Sequence, residues 1–511
     1  MLDSYDPFIL HRMKSLYPLL LALGILASLS SCKEDNPVSQ SPPSTRIFVK
    51  EINRSGGERL RSIVHLHWSG DDRDGIVTGF ELSFDNQNWA FTTRTDSVFS
   101  FNVRTQSDTT DINFWVRAID NDNQRDPNPA FLRIPIRNTP PQISHDTTFF
   151  ITDTHRVVFT FSLTAFDPDG SQTLDRVEIK ANDGSWVSLP ANVGFLTIVP
   201  TPNNTPGRVS AQVLDGTTGR NLGVQLDGIN LGGRNSFYLK AVDQGSLESA
   251  VDTTAQVVLL PRTADWLVLD LWRQNSNFVI PSGRPIVTYR NEFSAAGIGF
   301  DYLDLTNPEL VLPLRNSTLS VLLRQYPKVF LFTSRGDPEV ALVNSLETGI
   351  QNYLTNGGRL LLNVPYTIGD PNPNDPFLPV TFRSLFLYSP ADSVSSVFTN
   401  GSIPVDGALR SDARTGTGYP ELLNGSRLAG REQFISRVNP FYLKPGAEAI
   451  YRADMIQAGG EPWDGPRIVM ARLRNASGSA NIIYSSVALH EVNGNRNLAE
   501  LLRQVAQEFN R

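Results

Sequence analysis

Phe114-Trp115-Val116-Arg117-Ala118-Ile119-Asp120 and Phe237-Tyr238-Leu239-Lys240-Ala241-Val242-Asp243 read as one motif written twice, 123 positions apart. Each alternates apolar and polar residues, the pattern of a strand with one face on a core and the other in water. The copies extend outward. Asp72-Arg73-Asp74-Gly75, Phe80-Glu81-Leu82 and Trp89 in the first answer to Asp167-Pro168-Asp169-Gly170, Val177-Glu178-Ile179 and Trp186 in the second. Trp89 and Trp186 are 97 positions apart, so the second copy holds about 26 extra residues between Trp186 and Phe237. Val64-His65-Leu66-His67-Trp68 and Gly79-Phe80-Glu81-Leu82-Ser83-Phe84 alternate in the same way. A repeat of about 100 residues built only of short strands predicts one β-sandwich per copy. Asn138-Thr139-Pro140-Pro141 marks the junction, because each proline removes a ladder donor. The first module is expected over 46–138 and the second over 139–261.

The Trp68 strand, the Asp-x-Asp-Gly turns and the late strands ending RAID and KAVD resemble fibronectin type III and related immunoglobulin-like modules of bacterial surface proteins. The resemblance implies spacers or adhesive units. Calcium is the one candidate cofactor. Asp72, Asp74 and Asp120 in the first module, and Asp167, Asp169 and Asp243 in the second, offer hard oxygens. Neither turn has a full twelve-residue calcium loop. Asp and Gly also serve turns directly, since Asp bonds its own backbone and Gly takes positive φ.

The N-terminus reads as an address. His11, Arg12 and Lys14 precede the apolar run Leu16–Leu29, which is short for a spanning helix. Leu29-Ser30-Ser31-Cys32 resembles a lipobox, with the only cysteine of the chain at the cleavage point. The resemblance implies a signal peptide over 1–31, a diacylglyceryl group on Cys32 and a membrane held through that lipid. Lys33-Glu34-Asp35 resembles the surface-export signal of Bacteroidetes-type lipoproteins. The expected location is the cell envelope, at the outer membrane and on its surface if that signal is read. Residues 32–45 are rich in Pro and Ser and predict an extended tether.

After Pro261 the pattern changes. Trp266-Leu267-Val268-Leu269-Asp270-Leu271 is almost wholly apolar, as for a strand buried on both faces. Strand, helix and strand then follow in turn through Val364, and Leu498, Leu501, Leu502, Val505 and Phe509 mark a closing helix. KVFLFTS (328–334), IQNYLTNGGRLLLNV (350–364) and NIIYSSVALHEVNGN (481–495) resemble the class I glutamine-amidotransferase-like, flavodoxin-like layout. The expected fold is therefore multidomain: two all-β sandwiches, then a doubly wound α/β domain over 262–511 with a mainly parallel sheet. Residues 370–465 are read as inserted loops. In active members of that family a nucleophilic cysteine follows the strand that here is Leu360–Val364. This chain has Pro365 and Tyr366, so glutamine hydrolysis by that route is excluded.

No G-x-S-x-G, H-E-x-x-H or G-x-x-x-x-G-K-[ST] stretch occurs. Open sheets bind ligands beyond the carboxyl ends of their strands, which points to Trp272, Arg335, Asp337 and Tyr366 for binding. His490 and Ser334 are the candidates for a base and a nucleophile. His65 and His67 share one strand face without a third metal ligand in view. The chain has 511 residues and a formal net charge of -7, which gives nucleic acid no electrostatic purchase. One cysteine rules out an internal disulfide. The resulting expectation is a non-catalytic envelope lipoprotein binding a glycan or an envelope protein. The alternative is a surface hydrolase of polysaccharide or peptide.

Overall fold

The structure is a computed structural model. It describes residues 40–50, 59–101, 109–150, 152–272, 284–305, 316–333, 346–365, 401–425, 434–443, 445–457, 460–475 and 478–511. Two compact units result, Met1–Thr139 and Pro140–Arg511.

In the first unit two antiparallel sheets face each other. One orders strands Ser44–Val49, Ile63–Asp71 and Asp96–Ser100; the other orders Ala90–Thr92, Val77–Ser83, Thr109–Asp120 and Ala130–Arg137. The alternation seen in the sequence sorts the side chains. Val64, Leu66 and Trp68 point inward against Phe80, Phe114, Val116 and Ala118. Trp68 is fully buried and its Nε1 donates to the Arg94 carbonyl at 2.8 Å. Burying such an aromatic contributes about 2–3 kcal/mol, provided its N–H finds an acceptor.

The second sandwich opens the other unit. Strands Val187–Pro190, Leu174–Ala181, Phe237–Asp243 and Asp252–Thr253 repeat the second sheet of the first module. The extra residues of this copy form strands. Gly207–Asp215 and Asn221–Leu231 widen the opposite sheet, in which Gln142–His145, Phe159–Phe166 and Phe195–Thr201 repeat the three-stranded sheet of the first module. Their side chains then enter a core shared with the C-terminal domain. Val199 and Leu214 cluster with Leu267, Leu322, Val329 and Leu331. Polar contacts pin the same seam. Asp301, 2% exposed, accepts from Arg156 at 3.0 Å, Tyr326 at 2.8 Å and the Thr263 N–H at 2.9 Å.

The expected doubly wound α/β domain with a mainly parallel sheet is corrected here. The described residues are mostly β, with 48% strand against 13% helix. Its C-terminal sheet is mixed. The nine strands are β1 (Trp266–Asp270), β2 (Phe300–Asp304), β3 (Lys328–Phe332), β4 (Arg359–Asn363), β5 (Ala408–Ser411), β6 (Leu422–Leu423), β7 (Ala447–Ala453), β8 (Ile468–Arg474) and β9 (Ala480–Ser485). Their order is β2-β1-β3-β4-β9-β8-β7-β5-β6. Neighbours from β2 to β9 pair parallel, and neighbours from β9 to β6 pair antiparallel. Connection length explains the change. A parallel partner needs a crossover of about a dozen residues or more. Only 475–479 separate β8 from β9, which leaves a hairpin. The stretch read as inserted loops thus supplies strands wherever it is described.

Four helices are described: α1 (Pro285–Ala295), α2 (Asn316–Leu323), α3 (Glu347–Thr355) and α4 (Leu498–Asn510). Pro285 starts α1 at the one place where a missing N–H costs nothing. Gly357, at φ +85°, turns the chain out of α3 into β4. Leu498, Leu501, Leu502, Val505 and Phe509 of α4 join α1 on one face of the sheet. Residues of α2 and α3 join the seam with the sandwich on the other.

Candidate functional site

The carboxyl ends of the parallel strands gather the polar side chains of the C-terminal domain. Asn363 closes β4 and is 1% exposed. Its Oδ1 accepts from the Tyr289 hydroxyl at 2.9 Å and from the Leu489 N–H at 3.1 Å. Its Nδ2 donates to the Ser485 carbonyl at 3.3 Å and the Val487 carbonyl at 2.6 Å. All four bonding positions of the amide are therefore filled. Burial pushes the Tyr289 hydroxyl far above its ordinary range, so it stays neutral and can donate.

His490 stands on the short turn Leu489–Glu491, which Asn363 holds through the Leu489 N–H. Its Nδ1 lies 3.4 Å from the Tyr289 oxygen, with the rings edge to face. Tyr289 gives its one proton to Asn363, so in this contact the imidazole Nδ1–H donates. Ser485 is turned away from such chemistry: its Oγ donates to the Val487 carbonyl at 2.9 Å.

A second cluster lies two strands over, beyond β3. Asp270 ends β1, is fully buried, and accepts from the Trp272 N–H at 2.9 Å, Arg284 at 2.8 Å and Tyr302 at 2.8 Å. Arg284, just ahead of α1, also reaches Asp304 at the end of β2, at 3.2 Å. Burial pushes the Asp270 carboxyl above its ordinary value, and Tyr302 and Arg284 oppose that shift only in part. Burial first, and then Asp270 itself, pushes Tyr302 up as well.

Of the residues singled out by sequence, Cys32, Ser334, Arg335, Asp337 and Tyr366 lie outside the described residues. Trp272 is 6% exposed and packs with Tyr289, Phe332 and Phe293. His490 is brought to Tyr289 and Asn363. The residues that build the site, Asp270, Arg284, Tyr289, Tyr302 and Asn363, were not singled out. Two carried a sequence signal, being polar residues that close otherwise apolar strands, Asp270 in WLVLD and Asn363 in RLLLN.

The aspartates of the two sandwich turns bond backbone. Asp120 Oδ1 accepts from the N–H groups of Asp122 and Gln124, both at 2.8 Å. Asp167 accepts from Asp169 N–H and Asp243 from Leu247 N–H, each at 2.8 Å. Asp72 accepts from Asp74 N–H at 3.4 Å, and Asp74 from Ser41 N–H at 2.8 Å. Burial, with Asp169 and Asp243 nearby, pushes the Asp167 carboxyl up. Among the described residues no group of three or more His, Cys, Asp or Glu is arranged to hold a metal ion. Among them, too, no helix is long and apolar enough to cross a membrane. His65 meets Asp96 at 3.0 Å, and His67 packs on Phe48.

No protein-family model matches the chain, and no curated protein matches it. Solved structures similar to it include the fibronectin(III)-like modules of Clostridium thermocellum CbhA, 12% identical over 42% of this chain and 95% of that one, TM-score 0.17. A two-domain fibronectin type III segment of chicken tenascin is 13% identical over 43% and 99%, TM-score 0.19. The PKD1 domain of Vibrio anguillarum Epp is 11% identical over 19% and 96%, TM-score 0.14. The sandwiches rest on their own strand order, and nothing about activity follows from likenesses at this level.

Proposed function

We propose that this chain is a cell-envelope lipoprotein, held in the outer membrane by a lipid on Cys32, that works by binding a ligand or partner and not by catalysis. The observation that supports binding is the closure of the strand-end polar groups upon one another. Asn363 spends all four bonding positions on Tyr289, Leu489, Ser485 and Val487. Asp270 is held by Arg284, Tyr302 and a backbone N–H. Such a fixed floor suits recognition. A nucleophile needs a base aimed at it, and the Ser485 hydroxyl is committed to a carbonyl. The further step, kinship with class I glutamine amidotransferases that have lost their cysteine, rests on the three sequence stretches and on Pro365. That kinship would have to accommodate the antiparallel half of the sheet.

Two experiments test the reading. Palmitate supplied to cells making the full chain should label it, and Cys32→Ser should abolish the label; equal labelling of the variant would remove the anchor. The purified full chain should turn over no glycan, peptide or amide. Activity that disappears in His490→Ala, with the fold intact, would replace this reading by the surface-hydrolase one.

A further inference from the structure

The two sandwich modules carry the same cluster on the outer face of the repeated sheet, and comparing the copies separates scaffold from function. In module 1 Arg117 lies over the Trp89 ring, its guanidinium carbon 4.0 Å from the ring centre, and meets Glu81 at 2.6 Å. In module 2 Lys240 lies over Trp186 at 4.9 Å and meets Glu178 at 3.1 Å. Glu81 stands opposite Arg117 as Glu178 stands opposite Lys240. A tryptophan, a cation and a glutamate kept at matching places in both copies belong to the sheet's own packing.

The flanking positions differ. Across the strand from Glu81 is Phe91; across from Glu178 is Ser188. Next to Trp115 is Phe131; next to Tyr238, its counterpart, is Thr253. Phe91 is 62% exposed and Phe131 51%. Phe131 packs on Trp115 with ring centres 4.9 Å apart. The Phe91 ring lies over Gly79, where an added Cβ would come within 2.4 Å of it. Module 1 therefore presents Phe91 on one edge strand and the Trp115–Phe131 pair toward the other, with Trp89 against Arg117 between them, on a face four strands wide, roughly 14 Å at the usual strand spacing. A single exposed apolar residue needs no explanation, but two exposed phenylalanines on the one face where the other copy carries Ser188 and Thr253 do.

The charges differ too. In module 1 Glu81 is met by Arg117 and Arg125, and Asp111 by Arg59 and Arg133. That is four guanidinium groups to two carboxylates, in a chain of net charge -7. In module 2 Arg176 and Lys240 meet Asp175, Glu178 and Glu248, and Lys180, over the Trp186 ring, is a third cation to these three carboxylates.

We propose that this outer face of module 1 binds an acidic polysaccharide. Flat aromatic rings suit the faces of sugar rings. The excess guanidinium forks suit sugar carboxylates, which they grip bidentately. An extended peptide would instead seek the unpaired backbone of a sheet edge. The proposal concerns a different unit from the C-terminal strand ends and does not depend on the function proposed above.

The test uses the full chain in detergent, run in native gels containing polygalacturonate or neutral dextran. The chain should be retarded by polygalacturonate and not by dextran. Phe91→Ser with Phe131→Thr, which installs the module 2 residues, should weaken retardation at least tenfold without moving the thermal transition. Arg133→Glu should weaken it as well. Undiminished binding by the double variant would overturn the proposal, and if Arg133→Glu still weakened binding in that case, general charge attraction would account for the retardation. Absence of retardation would also overturn it. So would a sedimenting dimer that the double variant turns into a monomer, which would assign the face to a second copy of the chain.

Discussion

Replacing Asn363 by leucine should destabilise the second unit and leave the first untouched. The two side chains are close in size, so the cost is chiefly that of hydrogen bonds. Four are lost. The Ser485 carbonyl keeps the Val364 N–H at 3.2 Å, and the Val487 carbonyl keeps the Ser485 hydroxyl at 2.9 Å. Tyr289 can turn toward His490. The Leu489 N–H is the group stranded in the core, at about 1–3 kcal/mol. The three other bonds contribute about 1 kcal/mol each, and leucine returns about 1 kcal/mol by burial. The net loss is about 4 kcal/mol. Urea unfolding of the full chain, followed by far-ultraviolet circular dichroism, should show separate transitions for the two units. The transition of 140–511 should fall by that amount at unchanged slope, with the other as internal control. A loss below about 1 kcal/mol would refute the assignment of Asn363 as the hub of the strand ends.

Acid should weaken the same unit through His155. Burial against Phe159, only partly opposed by the bond to the Thr152 carbonyl, holds its imidazole down to about 4 from an ordinary 6.5. The neutral form is the one the fold accepts, so its contribution is complete above 6.5 and is lost as pH falls toward 4, up to about 3 kcal/mol. His155→Gln should flatten that part of a stability–pH curve; an unchanged slope between pH 6.5 and 4 would discount His155. Asp301→Ala should cost about 3–5 kcal/mol, because it strands the partly buried Arg156 and the buried Tyr326 together. A urea midpoint equal to that of the wild type would mean that the seam does not rely on this carboxylate.

The sandwiches were legible because a strand with one wet face writes its orientation into every second residue, as Leu66 and Trp68 do. The repeat then fixed which strands correspond. The antiparallel half of the C-terminal sheet was not legible. Its outermost strands are short, Ala408–Ser411 and Leu422–Leu423, and β8 buries a charged residue, Arg472, where an apolar one would have marked the strand. Arg472 and Glu508 pair inside the domain from a strand and a helix, and nothing near either residue names the other. The short link between β8 and β9 was the available signal for a hairpin, and the resemblance to a parallel fold outweighed it. The strand-end site was half visible. Asp270 and Asn363 stand out against apolar neighbours, but Asn363 finds Leu489 only through 126 positions of intervening chain. His490 was found by its residue type. Tyr289 and Arg284 had no such mark.

Duplication gave two similar sheets, and the residues added to the second copy decided their separate roles. Leu214 and Gly216 lie in the stretch that module 1 lacks, and Val199 lies on the strand beside it. Val199 and Leu214 enter the core shared with the C-terminal domain, and the Gly216 carbonyl accepts from Ser317 at 2.6 Å. Thr318 of the same helix meets Thr160 at 3.2 Å. Module 2 is therefore a structural half of the C-terminal body, and module 1 could not replace it, lacking the two added strands Gly207–Asp215 and Asn221–Leu231. The outer face of module 2 had no need to stay apolar, and it carries Ser188 and Thr253 with balanced charge. Module 1 has no such domain packed within its own unit, yet it keeps two phenylalanines in water on the same repeated sheet. Fold stability does not call for them there, since module 2 holds the same sheet together with Ser188 and Thr253 in their places. What remains to account for them is something outside the chain.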